Sequence, residues 1–95
     1  MTRQHLSGEL SVLLGQLQAA ATTDVSGRDI WSLRHAAETA PVSSLGWVTL
    51  RALGLADQLC WDSLNRGDTA AFCRQASVGA ALYDFGVLAG LLRES

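Results

Sequence analysis

Residues 43–93 decide the fold, and their sequence is SSLGWVTLRALGLADQLCWDSLNRGDTAAFCRQASVGAALYDFGVLAGLLR. Apolar residues recur along this stretch at steps of three and four, the spacing of helix faces, and the pattern is interrupted around Gly67. Glycine supplies the left-handed conformation that ends many helices, and Asp68 after it is a preferred N-cap residue. The stretch therefore predicts two long helices joined by a tight turn, which is an antiparallel helical hairpin.

Local signals also set the outer limits of this hairpin. Pro41 is the single proline, and the residue before a proline avoids helical angles, so a break is expected between residues 39 and 42. Ser43 or Ser44 then caps the third helix, which runs to about Asn65. The fourth helix meets no breaker and is predicted to continue to about Arg93.

Two shorter helices are predicted before the hairpin. The first covers about residues 4–20, and its apolar face consists of Leu6, Leu10, Leu13, Leu14 and Leu17. The second begins after Ser26, which forms a capping box with Asp29, and ends near Glu38. Its buried residues are predicted to be Ile30, Leu33 and Ala37.

Length and composition place the whole chain in one class. Residues 1–95 are long enough for a single domain, and we predict an all-α fold, a small four-helix domain ending in a long antiparallel helical hairpin. The hydrophobic fraction is 48% and the charged fraction is 17%, against about 25% charged in an average soluble domain. We therefore expect another molecule to cover part of the surface.

Charge and cysteine content exclude several functions and locations. The formal net charge is -2, and the seven cations are scattered arginines, so a phosphate-binding patch for nucleic acid is not expected. Cys60 and Cys73 are too few for a disulfide framework. Residues 1–14 lack the pattern of a signal peptide, and a cytoplasmic location is expected.

A membrane span is the weaker explanation of the apolar run at residues 78–92. The run is shorter than the roughly 20 residues that a span needs, and Asp84 lies in its middle. We therefore expect no membrane partner, and we predict that Gly79, Gly86 and Gly90 are notches where a neighbouring backbone approaches closely.

Both helices of the hairpin are apolar on two sides. On the third helix one stripe consists of Val48, Ala52, Leu55, Ala56 and Leu59, and the opposite stripe of Trp47, Leu50, Gly54 and Trp61. On the fourth helix one face has Cys73, Ala76, Ala80, Tyr83, Val87 and Leu91, and the other has Val78, Leu82, Phe85, Ala89 and Leu92. Two short helices can cover only part of this surface, so an oligomer or a partner protein is expected.

The predicted protein-binding or dimer interface draws on both helices. It consists of Trp47, Leu50, Gly54, Trp61, Val78, Leu82, Phe85, Gly86 and Ala89. Gly54 lies midway between two tryptophans and forms a notch, and its predicted polar rim is Arg51, Asp57 and Gln58. The alternative is that the first helix covers the tryptophan stripe within the chain. Trp31, on the short second helix, is predicted to be core.

Few residues suggest chemistry, and each has a simpler explanation. His35 and Glu38 share a helix face, but one such pair does not make a metal site. Cys60 and Cys73 lie at the same distance from the turn and could form a redox pair, although free cysteines usually pack as small hydrophobes. The acids nearest to the apolar faces lack a second catalytic group at a motif spacing; they are Asp57, Asp62 and Asp84. No catalytic, metal or cofactor site is predicted.

These observations favour a binding protein over an enzyme. The leading hypothesis is a small non-enzymatic regulatory or adaptor protein, of the anti-activator or chaperone type, that binds another protein through an apolar helical face as a homodimer. The alternative is a small-molecule-binding helical bundle with a pocket between its apolar helices.

Overall fold

The structure of the chain, a computed structural model, describes residues 3–21 and 24–92. In these residues the chain forms four helices and no strand, as the sequence predicts. The helices are α1 (Arg3–Ala20), α2 (Asp24–Thr39), α3 (Val42–Asn65) and α4 (Thr69–Leu88).

The helices pack as a ring in which each one contacts its neighbours in the sequence. α3 and α4 share the most extensive contact, α1 packs on α2 and α4, and α2 packs on α3. The residues of α3 and α4 that contact each other follow opposite orders along the chain. They join Ser63 to Gln75, Ala56 to Gly79 and Thr49 to Gly86, so the two helices are antiparallel.

The core lies along the inner faces of all four helices. Its largest fully buried apolar side chains are Leu10, Leu14 and Leu17 of α1, Ile30 of α2, Leu45, Val48 and Leu59 of α3, and Leu82 of α4. The burial of each leucine or isoleucine contributes about 1.5 to 3 kcal/mol. The predicted inner stripe of α3 and the predicted buried residues of α2 all belong to this core.

A glycine turn connects α3 to α4 at the predicted position. Gly67 has a φ of 73°, and its N–H donates to the Leu64 carbonyl at 3.1 Å. The next N–H, of Asp68, donates to the Ser63 carbonyl at 2.9 Å, which completes a Schellman motif. The Asp68 side chain then accepts from the Ala71 N–H at 3.1 Å and caps α4, as predicted.

The same motif ends α4 earlier than the predicted end at Arg93. α4 ends at Leu88, and Gly90 has a φ of 73°. The N–H of Leu91 donates to the Gly86 carbonyl at 2.8 Å, so the chain folds back on the last turn of its own helix. The prediction for the end of α4 is therefore wrong, and Arg93 lies outside the described residues.

At two of the three glycines that were predicted to be notches, atoms from another residue lie next to the missing side chain. A Cβ at Gly86 would stand 2.6 Å from Cγ of Leu92 and 3.2 Å from Cγ2 of Thr49, so other atoms already occupy that space. A Cβ at Gly79 would touch the Ala56 side chain of α3 at 3.5 Å. Gly90 has open space around it and serves the turn instead, so the notch predicted there is wrong.

The N-terminal caps of α2 and α3 differ from the prediction. α2 begins at Asp24, which places Ser26 inside its first turn, so the capping box with Asp29 does not mark its start. The N-cap of α3 is Pro41, without a side-chain cap bond, and Ser43 and Ser44 lie in the first turn. Proline suits this position because its φ of -66° is compatible with the start of a helix, and the first N–H groups of a helix have no partner within it.

A buried polar network joins three helices near the Gly67 turn. The Ser63 hydroxyl donates to Oε1 of Gln75 at 2.7 Å, and Nε2 of Gln75 donates to the Ala20 carbonyl at 2.9 Å. Both side chains are fully buried. Gln75 therefore satisfies a carbonyl at the C-terminal end of α1 that has no partner within its own helix.

Candidate interaction surface

The outer stripe of α3 is an apolar helix face that is exposed to solvent. Trp47, Leu50 and Trp61 are 58%, 61% and 64% exposed. They lie opposite the buried stripe of the same helix because steps of three, four and seven residues return to one face. α1 does not cover them, so the alternative that the tryptophan stripe is buried within the chain is wrong.

A groove of about 440 Å³ runs beside this stripe, between α3 and α4. Its lining includes the small residues Ala56, Ala76, Gly79 and Ala80 and the larger apolar residues Leu53, Trp61, Leu64 and Phe72. Gly79 has no side chain and Ala56 has a small one, so α3 and α4 approach closely at this point. No side chain fills the space on the outer side of this contact, and that space is the groove. It can accept apolar side chains from another molecule.

Three polar residues also line the groove, namely Asp57, Cys60 and Gln75. Burial raises the pKa of the Cys60 thiol, and the neighbouring Asp57 carboxylate raises this pKa further. The thiol therefore stays protonated at neutral pH, which makes it a poor nucleophile.

The two cysteines are both free and lie in different places. Cys73 is exposed and borders a separate depression between α1 and α4. The prediction that it packs in the core is wrong, because its position on α4 faces away from α3. Nothing in the structure joins the two cysteines as a redox pair.

A second depression, of about 340 Å³, borders the stripe on the side of α2. Its lining is mainly polar and consists of Asp29, Leu50, Arg51, Gly54, Leu55 and Gln58. The predicted polar rim is therefore present, with Arg51 and Gln58 on the α2 side and Asp57 on the α4 side. Gly54 is exposed, and a Cβ there would meet nothing within 4 Å.

The residues of α4 that were predicted to join this surface lie elsewhere. Val78, Leu82, Phe85 and Gly86 are buried in the chain's own core, and Ala89 is half-buried against it. α1 and α3 both pack on α4 and cover these residues, which is why they are not available to a partner in this structure. The exposed large apolar residues of α4 are instead Leu88 and Tyr83, and Tyr83 belongs to the other apolar face that the sequence indicates for this helix.

Trp31 also differs from its predicted place. It is 60% exposed on α2 and stacks on His35, with ring centroids 5.8 Å apart and planes 5° apart. Ile30 faces the core, and the next residue is rotated by about 100° around the helix, which turns the indole outward. The core prediction for this tryptophan is wrong.

The described residues do not bring together a cluster of metal ligands. No group of three or more histidine, cysteine or acidic side chains lies close enough to hold a metal ion in residues 3–21 and 24–92. Asp84 forms no ion pair with Arg51 or Arg74. In the same residues, no helix has both the length and the apolar character needed to cross a membrane.

Comparison of the chain with protein-family models, with curated proteins and with solved structures finds no match.

Proposed function

We propose that this chain is a small non-enzymatic regulatory or adaptor protein that binds another protein through the outer stripe of α3. An anti-activator or a dedicated chaperone would act in this way, by covering an apolar surface of its partner. The observation that carries the proposal is the exposure of Trp47, Leu50 and Trp61 on one helix face.

Physical reasoning supports a protein partner for this surface. Tryptophan is enriched among the residues that dominate binding energy, and such residues usually have an apolar pocket beside them and a polar rim around them. Trp61 borders the groove between α3 and α4, and Arg51 and Gln58 lie on the other side of the stripe. An amphipathic helix laid along such a face is a common mode of recognition.

Affinity capture with matched tryptophan variants tests the proposal. The tagged chain, its Trp61→Ala variant and its Trp31→Ala variant are each exposed to lysate of the source cell, and the bound proteins are identified and titrated. The two tryptophans are similarly exposed, but Trp31 lies on α2, outside the stripe. We expect Trp61→Ala to weaken binding by about 2 to 4 kcal/mol and Trp31→Ala to leave it unchanged. Equal binding by all three proteins would contradict the proposal.

A second candidate function is the binding of a small molecule in the groove between α3 and α4. Its volume of about 440 Å³ is within the range of about 300 to 1,000 Å³ that small-molecule sites occupy. A native mass spectrum of the protein purified from its own cell distinguishes the two functions. A bound small molecule that Ala76→Trp removes would favour this candidate, whereas a bound protein that Trp61→Ala removes would favour the first.

A further inference from the structure

The groove between α3 and α4 contains one charged side chain, the Asp57 carboxylate. None of the residues that line the groove is a cation, and within the described residues Asp57 forms no ion pair. Its neighbours on the surface of α3, at steps of three, four and seven residues, are all uncharged; they are Leu50, Leu53, Gly54, Cys60, Trp61 and Leu64. Asp57 is therefore a single negative charge in apolar surroundings.

Two other exposed acids lie beside positive groups. Glu9 approaches the imidazole of His5 to 3.1 Å on α1. Asp29 lines the same depression as Arg51. Asp57 differs from both, because the groove that it lines offers no group of opposite charge.

The charge of Asp57 acts inside the groove and not only at its edge. Cys60 lies three residues further on and lines the same groove. Burial raises the pKa of its thiol, and the Asp57 carboxylate raises this pKa further. A carboxylate that disfavours a second negative charge in the groove favours a positive charge there for the same reason.

Trp61 adds an aromatic surface beside this carboxylate. It lies four residues after Asp57, so the two side chains are neighbours on α3, and long side chains on a helix lean toward its N-terminus, which here is the direction of Asp57. Phe72 lines the same groove from α4. Aromatic faces attract ammonium groups, and tryptophan does so most strongly. A carboxylate beside an indole therefore suits an organic cation.

We propose that the groove binds a small organic ammonium ion, with its charged nitrogen at Asp57 and Trp61 and its apolar body between α3 and α4. The proposal rests on the second candidate function, because it names the chemical class of the ligand. The amide of Gln75 already bonds to Ser63 and to the Ala20 carbonyl. The body of the ligand therefore needs no further polar group.

Three probes of nearly equal shape test the charge of the ligand. They are phenylbutylamine, phenylbutanol and phenylbutyrate, which are positive, neutral and negative at neutral pH. Each is titrated into the isotope-labelled chain, and the backbone amide signals of the groove residues are followed by NMR. We expect the amine to bind with a dissociation constant of about 1 mM, the scale for a probe of this size. The alcohol should bind about 5- to 20-fold more weakly, and the acid more weakly still.

Two matched pairs of variants locate the bound cation. Asp57→Asn should reduce the affinity for the amine to that for the alcohol, whereas Asp84→Asn, at an exposed acid of α4 outside the groove, should leave it unchanged. Trp61→Leu should reduce the preference for the amine over the alcohol about two- to fivefold. Trp47→Leu, on the same helix face but outside the groove, should not. Circular dichroism checks that each variant keeps its helical content.

Equal binding of the three probes, or a preference for the amine that Asp57→Asn leaves intact, would overturn the inference. If the probes bind equally and Ala76→Trp removes them all, only the charge of the ligand is wrong, and the groove remains a small-molecule site. If no probe shifts the groove signals, the inference fails. The proposal of a protein partner is then unaffected, because capture by the tagged chain tests it separately.

Discussion

Replacement of Gln75 by leucine tests how the buried polar network supports the fold. The substitution keeps an apolar stem of similar size, but it removes the acceptor for the Ser63 hydroxyl and the donor for the Ala20 carbonyl. Each lost hydrogen bond costs about 1 kcal/mol, and a buried carbonyl left without a partner costs about 1 to 3 kcal/mol more. We expect Gln75→Leu to lower the free energy of unfolding by about 3 to 5 kcal/mol.

Urea denaturation followed by circular dichroism measures this effect. Gln16→Leu, at an exposed position of α1, is the control and should change stability by less than about 0.5 kcal/mol. The double variant Ser63→Ala with Gln75→Leu should be less destabilised than the sum of the single variants, with a coupling of about 1 kcal/mol. If Gln75→Leu is as stable as the parent chain, the network does not contribute in the way described.

Three further predictions concern the end of α4 and the cysteines. Gly86→Leu should lower stability by about 1 to 3 kcal/mol through overpacking, and a raised melting temperature would contradict the notch. Gly90→Ala should cost about 1 kcal/mol in urea denaturation because alanine is strained at a φ of 73°, and an unchanged midpoint would argue against the turn. With iodoacetamide at neutral pH, Cys73 should react faster than Cys60, because the raised pKa of Cys60 leaves less of it as thiolate. The reaction rate of Cys60 should increase as the pH rises. Equal rates for the two cysteines would contradict the burial of Cys60.

The sequence predicts those features of the fold that depend on a few neighbouring residues. The turn at Gly67 and the cap at Asp68 were predictable because a left-handed glycine followed by a capping acid is a local signal. The end of α4 at Gly90 has the same glycine signal, but two leucines follow it. They continue the apolar spacing, so the helix was expected to extend to Arg93.

The choice between two apolar faces could not be made from local signals. α3 and α4 each have two such faces, and only the packing of α1 and α2 decides which one is covered. The inner stripe of α3 and the Leu82 face of α4 are both buried, which leaves Trp47 and Trp61 exposed. The exposure of Trp31 could not be predicted from local signals either, because it is the next residue after the buried Ile30 and points to a different side of α2.

The two glycine turns have a consequence for the order of folding. One turn closes the hairpin of α3 and α4 at Gly67, and the other brings Leu92 back to Gly86 at its opposite end, so both join residues that are near in the sequence. Closing short loops costs little chain entropy, whereas the bond from Gln75 to the Ala20 carbonyl spans 55 residues. The hairpin can therefore form early, and α1 docks on it late. Changes inside the hairpin should then slow refolding, and changes where α1 docks should mainly speed unfolding.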